Sequence, residues 1–136
     1  MRRISKKRQQ RIEETRVFRN SLIQQSGECM LCGNSPRNPR HRVHALNQLC
    51  CHEILNGPLR DRTLDERSCL IVACWYCNQY ELDNKGDWPL ARQLAIIKHK
   101  APERYDLQRV LEIRNPRAMK FVTEDEVDGW IERDWE

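Results

Sequence analysis

The sequence has no long hydrophobic run. Its longest wholly apolar stretch is Cys69–Cys77, whereas a membrane-spanning helix needs roughly 18–20 apolar residues. The basic segment of residues 1–19 also contains no apolar stretch of the roughly 7 to 15 residues that a secretory signal carries. These absences exclude a transmembrane protein and predict a chain that stays in the cytoplasm.

The sequence also lacks the even cysteine count that is typical of a disulfide framework. It has seven cysteines, and the cytosol keeps thiols reduced. Four of them form two Cys-x-x-Cys pairs, Cys29 with Cys32 and Cys74 with Cys77. A two-residue spacer lets both sulfurs of a pair reach one ion at about 2.3 Å, so the two pairs predict one structural zinc. A redox dithiol needs only one pair, and an iron–sulfur cluster has no spacing signature here.

The net charge of +4 is unevenly distributed. Residues 1–20 contain eight Lys or Arg and two acids, whereas residues 123–136 contain one Arg and seven acids. The two ends therefore contribute +6 and −6, and the rest of the chain contributes +4. Basic residues clustered at one end and continued through the centre favour a polyanionic partner such as DNA. The alternative is a solvated basic helix with no partner.

The residue pattern predicts one α+β domain with appended helices, since 136 residues are too few for two ordinary domains. A helix is expected over Arg3–Gln25, ended by Gly27, with a sparse apolar face that includes Val17. Two strands, Leu49–Leu55 and Ser68–Ala73, are expected to form a hairpin around a charged loop.

Helical patterns follow the second cysteine pair. Asp87 begins one helix that Pro102 ends, Asp106 caps the next, and Thr123 with Glu126 forms a capping box for a last, acidic helix. The chain is thus predicted to comprise a basic N-terminal helix (1–27), a metal-bound core (28–86) and a C-terminal helical segment (87–136).

The motifs in the middle of the chain occur in a distinctive order. They are Cys29-x-x-Cys32, the strand sequence Cys51-His52-Glu53-Ile54, then Gly57 and Arg60, and finally Cys74-x-x-Cys77-Asn78. This order resembles the HNH, or ββα-metal, nucleases, and in particular the small phage and bacterial HNH proteins. It is also similar to the phage endonucleases that resolve branched DNA, in which an Asn directly after the second cysteine pair is a metal ligand. The resemblance covers residues 28–82.

The resemblance implies a metal-dependent endonuclease that hydrolyses DNA phosphodiester bonds inside a bacterium or a phage-infected host cell. Residues 28–86 would then form a ββα-metal core stapled by zinc. Mg²⁺ or Mn²⁺ would be held by His52 and Asn78 and would offset charge on the scissile phosphate. Arg60 and Arg62 are candidates for contacting that phosphate, because guanidinium matches its oxygens bidentately.

The sequence departs from the family at two places. Many members have two adjacent residues on the strand, a metal ligand and then the general base. If His52 is the first of these, it is a ligand and Glu53 is the base; if it is the second, His52 is the base and Cys51 occupies the ligand position. The family's Asn ahead of the second strand is also missing, since residues 66–68 are Glu, Arg and Ser.

Two functions of other classes remain open. One is a non-catalytic zinc-ribbon protein that binds DNA or acts as a scaffold, and the other is a protein-binding zinc module whose acidic C-terminus engages a partner. Such modules need the four cysteines but have no need of His52 with Asn78. Outside these motifs, Cys69 is expected to pack as a small buried hydrophobe and His99 to be functionally inert.

Overall fold

The computed structural model describes residues 5–55, 62–84, 86–114 and 122–136. Within these ranges the chain has five α-helices and one two-stranded antiparallel hairpin, so the predicted α+β class is confirmed. The elements are α1 (Lys6–Ser26), β1 (Leu49–Glu53), β2 (Leu70–Cys74), α2 (Trp75–Cys77), a π-helix (Asn78–Leu82), α3 (Leu90–Lys100), α4 (Leu107–Ile113) and α5 (Glu124–Trp135).

The hairpin lies at the centre of the fold. In its register His52 on β1 is opposite Ile71 on β2, and β2 is buried along its whole length, as its apolar, partly β-branched sequence requires. Both strands are shorter than predicted. Strand β1 ends at Glu53, and Ser68 and Cys69 belong to a 3₁₀ turn that precedes β2. The predicted turn at residues 56–58 lies outside the described residues.

Helix α1 packs on the hairpin through one narrow side. Its N-terminus is capped by Ser5, and it ends at Gly27, whose left-handed φ of 69° favours glycine. Thr15 and Leu22 are its buried residues, whereas Val17 is 79% exposed, so the predicted apolar face is wrong at Val17, which lies on the opposite side of the helix. No described helix, α1 included, is long and apolar enough to span a membrane.

The C-terminal helices complete the core. The caps predicted at Asp106 and Thr123 are confirmed, since their side chains accept hydrogen bonds from Arg109 N and Glu126 N at 3.0 and 3.2 Å. Helix α3 packs between β2 and α5, and its apolar residues are buried except Leu90, which is partly buried. The hairpin is therefore covered by α1 and by α3, and the residues of α3 that face it are close enough to contact β1 side chains.

Candidate metal centre and active site

The two cysteine pairs meet in one cluster. The sulfur atoms of Cys29, Cys32, Cys74 and Cys77 all lie within 4.8 Å of one another, and Cys32 Sγ is 3.8 Å from Cys74 Sγ. Four thiolates at about 2.3 Å from a tetrahedral ion are about 3.8 Å apart. The four cysteines are therefore positioned to bind one metal ion, and among the described residues they form the only such group of Cys, His, Asp or Glu.

Local backbone turns build the first half of this cluster. Gly33 N donates to Cys29 O at 2.9 Å, and Gly33 adopts a left-handed φ of 76° that favours glycine immediately after the Cys-x-x-Cys turn. Met30 N donates to Val72 O at 2.9 Å, which joins the turn to β2. The second pair begins at the last residue of β2, so a bound ion would tie the first turn to the junction of strand and helix.

Hydrogen bonds between the thiols of the cluster shift their pKa values in opposite directions. A hydrogen bond with Cys77 lowers the pKa of Cys29 to about 5, and the same interaction raises the pKa of Cys77. Burial raises the pKa of Cys32 to about 11. Hydrogen bonding from a neighbouring thiol therefore favours the thiolate form of Cys29, and the cysteines would lose their thiol protons on binding a divalent cation.

The other three cysteines behave as packing residues. Cys69 is fully buried, as predicted, and burial raises its pKa to about 11. Burial also raises the pKa of Cys50 to about 12 and raises the pKa of Cys51. Since the thiolate is the metal-binding and nucleophilic form, none of the three is activated.

The side chain of His52 faces Asn78. His52 lies near the end of β1, and Asn78 is the first residue of the π-helix, directly after the second cysteine pair. His52 Nδ1 is 2.8 Å from Asn78 Oδ1. The two residues that the family resemblance selected, 26 positions apart in the sequence, are thus adjacent in the fold.

The second ring nitrogen of His52 contacts a residue that sequence reasoning missed. His52 Nε2 is 3.1 Å from Oε1 of Gln93, which lies on α3. Gln93 is 4% exposed, and its own Nε2 donates to Trp88 O at 2.8 Å. The one sequence signal for Gln93 is that it is a polar residue on an otherwise apolar helix face. That signal does not indicate which residue Gln93 contacts.

Glu53 and Cys51 lie on the opposite face of β1, toward α1, because successive side chains of a strand alternate. The Glu53 side chain is only 8% exposed, and Arg19 Nη1 is 3.1 Å from its Oε1. Arg19 Nη2 also donates to Cys51 O at 2.9 Å. His52 is therefore the residue of the Cys51-His52-Glu53 sequence that faces Asn78.

A cavity of about 340 Å³ opens beside these residues. Its lining includes His52 and Asn78 together with Glu53, Arg19 and Asp83. Asp83, an exposed carboxylate that follows the π-helix, is a second residue that the sequence did not single out. Two carboxylates, an imidazole and an amide thus border one solvent-accessible space.

Only one of the two predicted phosphate-contacting arginines, Arg62, is among the residues that the structure describes. Arg60 lies outside the described residues, and Arg62 is exposed but does not line the cavity. Three other arginines, Arg37, Arg40 and Arg42, are exposed on the loop after the first cysteine pair. Asn47 anchors this loop, since its Oδ1 accepts from the backbone N of Arg40 at 3.2 Å.

Comparisons with protein-family models, with curated proteins and with solved structures found no match for this chain. The resemblance to HNH nucleases therefore rests on the motifs themselves. Two structural features bear on it, namely the four-cysteine cluster and the approach of His52 to Asn78.

Proposed function

We propose that this chain is a metal-dependent endonuclease of the HNH type that hydrolyses DNA phosphodiester bonds. The observation that carries the proposal is the 2.8 Å separation of His52 Nδ1 and Asn78 Oδ1 at the edge of an accessible cavity. A module that uses metal only for stability needs the four cysteines, but it has no need of an imidazole and an amide that face each other beside them. The motif order of the HNH resemblance supports the same function.

Zinc is the ion proposed for the four cysteines, because it favours tetrahedral thiolate sites. The sulfur separations fit that geometry. Its role is structural, since all four positions are taken by protein ligands. By fixing Cys77 it also fixes the next residue, Asn78, relative to the hairpin.

Mg²⁺ or Mn²⁺ is the ion proposed for His52 and Asn78, because hard divalent ions accept oxygen and nitrogen ligands. Two neighbouring ligands of an octahedral ion, each at about 2.1 Å, are about 3.0 Å apart. The observed 2.8 Å fits this spacing. A bound ion would offset the charge that develops on the scissile phosphate and the leaving oxygen.

A carboxylate is the proposed acceptor for the proton of the attacking water. Glu53 borders the cavity and fits the assignment in which His52 is a ligand, and Asp83 is the second candidate. The other assignment, with Cys51 as ligand, has less support: Cys51 also lines the cavity, but its Sγ donates to Arg19 O at 3.5 Å and burial raises the pKa of its thiol.

DNA is the proposed substrate because exposed basic residues occur on two elements. Lys6 and Lys7 lie on the first turn of α1, and the arginines of residues 37–42 lie on the loop beside the cysteine cluster. Their charge supplies affinity for phosphate that does not depend on sequence.

Plasmid cleavage by the zinc-loaded protein, with and without added Mg²⁺ or Mn²⁺, tests the proposal. His52→Ala should lower the cleavage rate about a hundredfold or more, while DNA affinity changes little. Asn78→Ala should weaken cleavage in a way that added metal partly restores. The matched control is His99→Ala, because His99 stacks on Trp135, away from the cavity.

Comparing Glu53→Gln with Asp83→Asn identifies the base, since only loss of the true proton acceptor should cost about a hundredfold. If folded, zinc-loaded His52→Ala cuts at the wild-type rate, this site is not nucleolytic. The non-catalytic DNA-binding or scaffold protein would then be the better assignment. That alternative is favoured by Arg67 and Ser68, which stand where the family places its bracing Asn.

A further inference from the structure

Gln93 connects the start of α3 to the imidazole of His52. Its amide has two different ends, an NH₂ that only donates and an oxygen that only accepts. The NH₂ group donates to Trp88 O at 2.8 Å, so the oxygen is the end that faces His52 Nε2, at 3.1 Å. An acceptor at that position calls for a proton on Nε2.

The orientation of the amide is itself firmly held. Gln93 is 4% exposed, so water does not compete for its hydrogen bonds. Its partner Trp88 is fixed as well, because its indole Nε1 donates to Glu81 Oε2 at 3.4 Å and the Arg92 guanidinium lies 3.8 Å over its ring. Turning the amide over would set its oxygen against the Trp88 carbonyl oxygen and leave that carbonyl without its donor.

A proton on Nε2 decides the chemistry of Nδ1. In the neutral ring one nitrogen carries hydrogen and the other has a lone pair, so Nδ1 presents its lone pair toward Asn78. Asn78 Oδ1, 2.8 Å away, also presents lone pairs. When Nε2 carries the single proton of the neutral ring, two acceptors face each other at this distance, and a cation that both of them bind would relieve their repulsion.

We propose that Gln93 is a positioning residue that holds His52 in the Nε2–H tautomer, so that Nδ1 is the atom offered to the divalent ion. This inference rests on the proposed function, and it deepens it by assigning His52 the role of ligand and not of base. Metal-binding histidines are generally held in this way, by an acceptor on the nitrogen that does not bind the ion.

The test is the tautomer of His52, read from the ¹⁵N chemical shifts of the zinc-loaded protein without added Mg²⁺ or Mn²⁺. The measurement is made at a pH high enough for histidine side chains to be neutral. The chain has four histidines, and the His52→Ala spectrum identifies the signals of His52. We expect a protonated Nε2 and a bare Nδ1.

Two substitutions test the part of Gln93. Gln93→Met has similar size but no acceptor, so the tautomer preference should be lost and Mn²⁺ affinity should fall about 10- to 100-fold. Gln93→Glu keeps an acceptor beside Nε2, and it should keep the tautomer and most of the affinity. Gln108→Met, at an exposed position of α4, is the control for a generic effect of the substitution.

A wild-type spectrum with hydrogen on Nδ1 would overturn the inference, because Nδ1–H would then simply donate to Asn78 Oδ1. So would an unchanged tautomer in Gln93→Met. The wild-type spectrum decides the matter even if that variant does not fold. If His52 has the expected tautomer but the protein neither binds Mn²⁺ nor cuts DNA, the nuclease function and the ligand role of His52 are refuted. The control of the His52 tautomer by Gln93 would still stand.

Discussion

The ion pair between Arg19 and Glu53 gives a prediction about how α1 is held on the hairpin. The two side chains are 20% and 8% exposed, so water would replace the guanidinium only in part, from the side of the cavity that both residues line. Arg19 also donates to the carbonyls of Cys51 and Leu64, at 2.9 and 3.4 Å. Removing one partner of a buried pair costs about 3–5 kcal/mol, because the remaining buried charge loses a counter-charge.

We expect Arg19→Met to lower the free energy of unfolding by about 3 kcal/mol, the low end of that range, since Arg19 is partly exposed. The melting temperature should fall by roughly 10 °C. The assay is urea unfolding of zinc-loaded protein, followed by circular dichroism. Arg11→Met is the matched control, because the Arg11–Asp65 pair is 35% and 47% exposed and such pairs are worth about 0–1 kcal/mol.

The double variant Arg19→Met with Glu53→Gln separates the charge from the carbonyl contacts. It removes the buried carboxylate charge, so it should recover about half of the loss, while the donors to Cys51 O and Leu64 O stay missing. The reasoning is refuted if Arg19→Met costs no more than Arg11→Met, or if the two substitutions at the pair are simply additive.

Two further predictions concern the zinc and the DNA. Cys77→Ser should abolish zinc binding and unfold the centre of the chain, because structural zinc supplies about 10–16 kcal/mol against a domain stability of about 5–15 kcal/mol. A Cys77→Ser protein that still carries one zinc per chain by elemental analysis and melts like the wild type would contradict this. Cys50→Ser is the control. Replacing Lys6 and Lys7 by Gln should lower the slope of log K against log salt by about 1.8 if both contact phosphates, whereas an unchanged slope would show that this turn of α1 does not touch DNA.

The features that the sequence predicted well are those set by local interactions. A Cys-x-x-Cys spacer brings two sulfurs together through its own turn, so the spacing alone identifies Cys29, Cys32, Cys74 and Cys77 as candidate metal ligands. Helix ends are local too, because an N-cap side chain accepts from a backbone NH three residues on, and the C-cap Gly27 N donates to Ile23 O four residues back. Gly27, Asp106 and Thr123 were therefore placed correctly.

Strand periodicity predicted only part of the candidate site. Alternation places His52 on one face of β1 and Cys51 with Glu53 on the other. It does not say which element covers each face. Packing decided that α1 brings Arg19 to Glu53 and that the π-helix brings Asn78 to His52.

Long-range packing alone placed Gln93. It is 41 residues from His52 in the sequence, in a helix that the pattern assigned to a separate C-terminal segment. The sequence by itself determined the two cysteine pairs, the hairpin strands and the helix caps, because spacing, alternation and capping act within a few residues. Only the tertiary structure decided which side chains meet, because the crossing of α3 over the hairpin depends on how all their buried surfaces fit together.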